Sequence, residues 1–121
     1  MFTLSVEKEI AAAHQLRDYD GPCANVHGHC WKIRAEVAAE EFDQAGIAID
    51  FAEIENLLWR ILGPFDHRNF NDIAPFDELN PTAENIARYI YRSLAELLPV
   101  NIRLKNIQLW ETDRYRVTYE E

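Results

Sequence analysis

Two imidazoles and a thiol fall within seven residues of this chain, in Cys23-Ala24-Asn25-Val26-His27-Gly28-His29. The chain has four histidines and two cysteines in all, so half of each sits in that segment. His-x-His on a strand is a chelate, because side chains at i and i+2 point to the same face. His14 supplies a third imidazole thirteen residues upstream of His27. Three imidazoles with a coordination position left open are a catalytic zinc pattern. Zn2+ is therefore the expected cofactor, with His14, His27 and His29 as the metal ligands. The competing reading is a set of exposed histidines at strand ends. A zinc finger does not fit, since it would need more cysteines.

Three further groups stand where they can act beside such a metal. Cys23, four residues before His27, reads as a thiolate base or nucleophile, as a fourth metal ligand, or as a buried loop cysteine. Asp66-His67 lies in Phe65-Asp66-His67-Arg68-Asn69-Phe70-Asn71 and reads as an acid–base pair or as a solvated charge pair at a helix exit. Adjacent side chains rarely hydrogen-bond to each other, so Asp66 is expected to act from a turn or across an interface. Glu111 shares parity with Ile107 and Leu109, and a carboxylate in that buried phase must be paired or bind something. It can pair with an arginine, mark the strand's exit, or accept two parallel N–H groups from a guanidine-like ligand edge.

The elements that must hold these groups follow from hydrophobic period. Phe2, Leu4, Val6 and Ile10 alternate with polar residues, Lys8 being the exception, and the strand runs through Ala11-Ala12-Ala13 to His14. Turn residues cluster at Asp20-Gly21-Pro22. His27, His29, Trp31, Ile33, Ala35 and Val37 form the apolar phase of a second strand, and Cys30 has the opposite phase. If no bulge interrupts the alanine run, all three rings point to the covered face of the sheet. Asp50-Phe51-Ala52-Glu53 resembles a capping box ahead of a helix stripe of Phe51, Ile54, Leu57, Leu58, Ile61 and Leu62, ended by Gly63-Pro64. A long loop, Phe65 to Asn80, is a candidate functional segment. Asn80-Pro81-Thr82 opens a second helix with the stripe Ala83, Ile86, Ala87, Ile90, Leu94, Leu97 and Leu98. Alternation returns from Ile107 to Tyr119. The order strand, strand, helix, helix, strand, strand predicts an α+β fold: two helices on one face of a four-stranded antiparallel sheet.

Bulk properties narrow the partners. The 121 residues make one domain, 1–121, with 48% hydrophobic and 27% charged residues, which is a globular composition. A net charge of −9 argues against nucleic-acid and membrane-surface binding. Met1 leads straight into the first strand pattern, so no signal peptide is expected, and no apolar run is long enough to span a membrane. The expected location is the cytoplasm. Pockets in domains this small are often completed by a neighbouring subunit, so a homo-oligomer is expected.

Six motifs in order carry a family resemblance over nearly the whole chain: Ala12-Ala13-His14-x-Leu16, Cys23-x-x-x-His27-Gly28-His29, Gly46-x-x-Ile49-Asp50-Phe51, Asp66-His67-x-x-Phe70-Asn71, Pro81-Thr82-x-Glu84-Asn85 and Trp110-Glu111-Thr112. Together they resemble the 6-pyruvoyl-tetrahydropterin synthase family, and within it most closely the bacterial 6-carboxytetrahydropterin synthase branch that serves queuosine biosynthesis. The branch is suggested by the three residues between Cys23 and His27; the pyruvoyl-forming animal enzymes typically have five.

The resemblance implies the T-fold and assembly into an oligomeric barrel, usually a hexamer of two stacked trimers with sites at subunit interfaces. It implies zinc on His14, His27 and His29, with Cys23, Asp66 and His67 as acid–base residues. Glu111 would anchor the pterin through its amino-pyrimidinone edge. The substrate would be 7,8-dihydroneopterin triphosphate, and the products 6-carboxy-5,6,7,8-tetrahydropterin, acetaldehyde and triphosphate. Other outcomes on the same fold are a pyruvoyl synthase or an aldolase-like enzyme; a different class is a non-catalytic, zinc-stabilised assembly module. Gln15 stands where many members carry arginine, which leaves the triphosphate to Arg17, Lys32, Arg34 or Arg68. Phe65 and Phe70 stand where leucines are common.

Overall fold

Alternation over the first fourteen residues becomes strand β1 (Phe2–His14), which pairs antiparallel with β2 (His27–Ala39). The computed structural model describes residues 1–121. The β1–β2 register runs without interruption from Phe2↔Ala39 to His14↔His27, so the alanine run carries no bulge. Val6, Ile10, Ala12 and His14 of β1 and Trp31, Ile33, Ala35 and Val37 of β2 therefore share one buried phase. The parity argument holds for every histidine it was applied to. One extra residue, Lys105, does interrupt the pairing of β2 with β4 (Arg103–Thr112) beyond Glu36, but this bulge lies far from His27.

The buried phase packs against two helices. Helix α1 (Phe51–Leu62) starts at Asp50, whose Oδ1 accepts from the Ala52 N–H at 2.9 Å. It buries Ile54, Leu58, Ile61 and Leu62, while Phe51 stays 58% exposed at the first turn. Helix α2 (Ala83–Leu97) starts at Thr82, whose Oγ1 accepts from the Asn85 N–H at 3.1 Å. It buries Ile86, Ala87, Ile90, Tyr91 and Leu94. Tyr91 lies outside the expected stripe; it is held inside because its hydroxyl donates to the Leu104 carbonyl at 3.2 Å.

The sheet has five strands in the order β3-β1-β2-β4-β5, with β3 at Arg68–Asn69 and β5 at Tyr115–Tyr119. The expected four-stranded antiparallel sheet is thus extended by one short strand, parallel to β1. Two residues are too few to show a hydrophobic period, so β3 has no signature in the sequence.

The segment expected to be an open loop instead seals the free edge of β1. Asp66 Oδ1 accepts from the Ala11 N–H at 3.0 Å, and the His67 N–H donates to the Ala11 carbonyl at 2.6 Å. Asn71 binds both backbone groups of Gln15, each at 2.8 Å. Asn80 binds both backbone groups of Arg17, at 2.8 and 2.9 Å. Amide and carboxylate side chains here take the place of a partner strand, which satisfies an edge that would otherwise be open. Phe65, Phe70 and Phe76 anchor the segment from beneath, fully buried, with ring centroids 4.8 to 5.7 Å apart.

Candidate metal centre

His14 and His27 are direct cross-strand partners, and His29 faces Ala12 one pleat away. Strand pairing alone therefore puts three imidazoles on one patch of the covered face. Ring centroids lie 4.5 Å apart for His14–His27, 5.2 Å for His14–His29 and 4.8 Å for His27–His29. Glu111, at the end of β4, joins them: one ligand atom from each of His14, His27, His29 and Glu111 falls within 4.8 Å of the others. Trp31 supports the cluster edge-on, 4.8 Å from the His14 ring and 5.1 Å from His29. Its Nε1–H donates to the Ala12 carbonyl at 3.0 Å, which fixes the indole.

Hydrogen bonds outside the cluster decide the chemistry inside it. His14 Nδ1 lies 2.8 Å from the Pro81 carbonyl and His27 Nδ1 lies 2.8 Å from the Asn25 carbonyl. A carbonyl only accepts, so each Nδ1 carries the proton and each Nε2 is a bare lone pair. The Nε2 atoms of all three histidines are buried with no hydrogen-bond partner. Glu111 Oε1 stands 3.0 Å from His29 Nε2 and 3.4 Å from His14 Nε2. A ring lone pair and a carboxylate oxygen at such distances repel unless a cation or proton lies among them. The donor set of three imidazole nitrogens and one carboxylate oxygen therefore fits a bound metal ion.

Burial lowers the pKa of His14 and His29 below the ordinary 6.5; charge on the neighbouring His27 acts the same way, and Glu111 opposes it. The shift favours the neutral ring, the form a metal requires. This is the structural counterpart of the expected metal-ligand trio. Glu111, expected as a ligand anchor, meets no arginine and lies against the histidines.

The acid–base candidates are placed differently. Cys23 is half-buried in a 3-10 turn, Pro22–Ala24, and does not belong to the clustered donor set. Its turn is tied back to the residues after His14: the Leu16 N–H donates to the Cys23 carbonyl at 2.9 Å and Gln15 Nε2 donates to the Ala24 carbonyl at 2.8 Å. Asp66 and His67 do bond side chain to side chain, Oδ1 to Nδ1 at 3.0 Å, contrary to the expectation for adjacent residues. The reason is the His67 backbone, which is left-handed with φ of 60° and swings the ring back over Asp66. The Ala11 N–H, with His67, holds the Asp66 carboxyl below its usual range.

His67 is 80% exposed and shares a cavity of about 500 Å3 with Ala11, Ala12, Ala13, Gly28, His29 and Cys30. Ala11, Ala13, Gly28 and Cys30 have the phase opposite to His14 and His27, while Ala12 and His29 share it, so His67 stands beside the free edge of β1, where its N–H meets the Ala11 carbonyl. Among the basic residues considered for phosphate, Arg17 donates to the Phe76 carbonyl at 2.6 Å, Arg34 pairs with Glu7 at 2.6 Å, and Lys32 lies over the Trp110 ring at 4.1 Å. Residue-by-residue reading of the sequence missed the supports of the cluster, Pro81, Asn25 and Trp31. Asn25 lay inside the Cys23–His29 segment, Trp31 in the phase of His27 and His29, and Pro81 in the motif Pro81-Thr82-x-Glu84-Asn85, but no supporting task was read for any of them.

Comparison with known proteins agrees with this fold. The model of the family "PTPS: 6-pyruvoyl tetrahydropterin synthase" matches residues 3–121. The chain is 31% identical to the 6-carboxy-5,6,7,8-tetrahydropterin synthase of Haemophilus influenzae over the whole of both chains. It is 34% identical to the dihydroneopterin monophosphate aldolase of Pyrococcus furiosus, over 78% of each chain. It is also 34% identical to the 6-pyruvoyl tetrahydrobiopterin synthase of Pongo abelii, over 83% of this chain and 71% of that one. The structure of the Caenorhabditis elegans 6-pyruvoyl tetrahydropterin synthase superposes with a TM-score of 0.89 at 25% identity, covering 99% of this chain and 95% of that one.

The α+β sheet-and-helix arrangement is the T-fold of these enzymes. This chain belongs to the 6-pyruvoyl tetrahydropterin synthase family.

Proposed function

We propose that this protein is a zinc-dependent 6-carboxytetrahydropterin synthase, converting 7,8-dihydroneopterin triphosphate and water to 6-carboxy-5,6,7,8-tetrahydropterin, acetaldehyde and triphosphate. The observation that carries the metal-dependent part is the convergence of three imidazole Nε2 atoms, two of them bare lone pairs, and the Glu111 carboxylate within 4.8 Å of one another. The carboxy-forming branch is supported by the end-to-end match with the Haemophilus influenzae enzyme and by the three-residue spacer between Cys23 and His27. A zinc ion bound there would act as a Lewis acid toward the hydroxyls of the substrate's side chain.

The chain's own groups have complementary tasks in this reading. His14, His27 and His29 hold the ion, their ring orientation set by the Pro81 and Asn25 carbonyls. Cys23, in a turn tied to the residues after His14, takes a proton from the side chain of the substrate. His67, bonded to Asp66, passes protons on the opposite side of the substrate. Glu111 accepts from the amino-pyrimidinone edge of the pterin, exchanging its contact with the histidines for the ligand. In this reading the site is completed in a homo-oligomer, a hexamer of stacked trimers. The protein is in this reading a cytoplasmic lyase of queuosine biosynthesis.

The test is to incubate the zinc-loaded protein with 7,8-dihydroneopterin triphosphate and identify the products. Acetaldehyde with a carboxylated pterin is the expected result. Triphosphate release with the three-carbon side chain retained would point to the pyruvoyl-forming reaction instead, and no turnover at all would leave an assembly module.

A further inference from the structure

The bond from His14 Nδ1 to the Pro81 carbonyl joins a metal ligand to a residue 67 positions away, so something must aim that carbonyl. Proline has a restricted φ and no N–H of its own, so the direction of its carbonyl depends on its two neighbours. On one side stands Asn80. Its side chain holds both backbone groups of Arg17, and its own carbonyl accepts from Asn85 Nδ2 at 2.9 Å and from the Thr82 N–H at 2.8 Å. On the other side stands Thr82, which caps α2 through Asn85. Arg17 is only three residues past His14. The path from His14 along the chain to Arg17, across to Asn80, on to Pro81 and back to the His14 ring is therefore a closed loop of covalent and hydrogen bonds.

We infer that Asn80 is a positioning residue for the metal centre: it touches neither the ion nor substrate, and it fixes the Pro81 carbonyl that sets the tautomer and orientation of His14. This rests on the metal-binding reading above and assigns a task to the Pro81-Thr82-x-Glu84-Asn85 segment, with Asn85 holding Asn80. Partners that orient a ligating histidine contribute about 10–100-fold to metal affinity.

The molecule contains its own control. Asn71 makes the same pair of bonds to Gln15, which is even closer to His14, but has no connection to Pro81. Zn2+ affinity is measured by competition with a chromophoric chelator in the full-length parent, Asn80→Ala and Asn71→Ala. The exchange rate of the His14 Nδ1–H is followed by NMR in the same three proteins without metal. Asn80→Ala is expected to bind Zn2+ about 10–100-fold more weakly and to exchange that proton fast. Asn71→Ala is expected to match the parent in both. Equal losses in the two variants would show that the clamps act only through general stability and overturn the inference. So would parental affinity in Asn80→Ala. Failure of the parent itself to bind Zn2+ overturns the metal-binding reading and this one with it. If Asn80→Ala does not fold, Asn85→Ala removes one support of Asn80 and leaves the Arg17 clamp in place, with the same outcomes expected in smaller measure.

Discussion

The metal cluster and the Asp66–His67 pair are built by opposite means. His14, His27 and His29 sit in an uninterrupted antiparallel ladder, where register and pleat dictate the direction of each ring. No backbone strain is needed to bring them together. Asp66 and His67 sit beside a two-residue strand, with His67 in the left-handed region and its ring 80% exposed. Their geometry is bought with local strain and with bonds to the backbone of Ala11. The difference teaches that a cluster of convergent donors can be built on a rigid, repeating scaffold without strain, whereas an exposed acid–base pair can stand on irregular chain provided one partner is locked.

The largest effect should come from the ladder. His29→Ala removes a ligand and is expected to abolish stoichiometric metal binding and turnover together, with the circular dichroism spectrum kept; retained metal at parental affinity would break the assignment of the cluster. Next, His67→Ala is expected to lower turnover by about 10²–10⁴-fold while the metal content stays at the parental level. Loss of zinc in that variant would mean that the two regions are not separable. Cys23→Ala is expected to behave like His67→Ala, and zinc loss there would make Cys23 a ligand and not a base.

A smaller effect sharpens the strain argument. His67→Gly is expected to raise stability by about 1 kcal/mol in urea unfolding, because glycine adopts φ near 60° without penalty, even as turnover is lost. A destabilised glycine variant would show that the His67–Asp66 bond outweighs the strain.

The smallest effect is the pH response of the metal-free protein. Burial lowers the pKa of His14 and His29 in the folded state, while the unfolded chain keeps values near 6.5. The unfolded state therefore binds more protons as pH falls below 6.5, so stability declines with falling pH in that window. His14→Gln should flatten the decline, measured as the urea midpoint at several pH values.

Much of this was readable before any coordinates. Trp31, Ile33, Ala35 and Val37 announce their strand by parity, and the same parity carries His27 and His29 into the covered face. The helices declare themselves through Asp50 and Thr82 as caps and through their apolar stripes. Strand β3 did not show because two residues carry no period, the Asp66–His67 contact because it depends on a left-handed backbone at His67, and the Asn71 and Asn80 clamps because each is a single side chain bonding to backbone many residues away. Neither hydrophobic period nor composition records such a bond.

The sequence alone therefore determined the ligand types, the faces they occupy and the order of elements, since these follow from periodicities of two and 3.6 residues that any strand or helix must obey. Only the tertiary structure decided which nitrogen of His14 and of His27 is free, that Glu111 closes the cluster, and that His67 stands beside the edge of β1. Those facts depend on where Pro81, Asn25 and Ala11 come to lie once the chain has packed. Hydrogen bonds between distant residues are properties of the folded packing and not of local pattern.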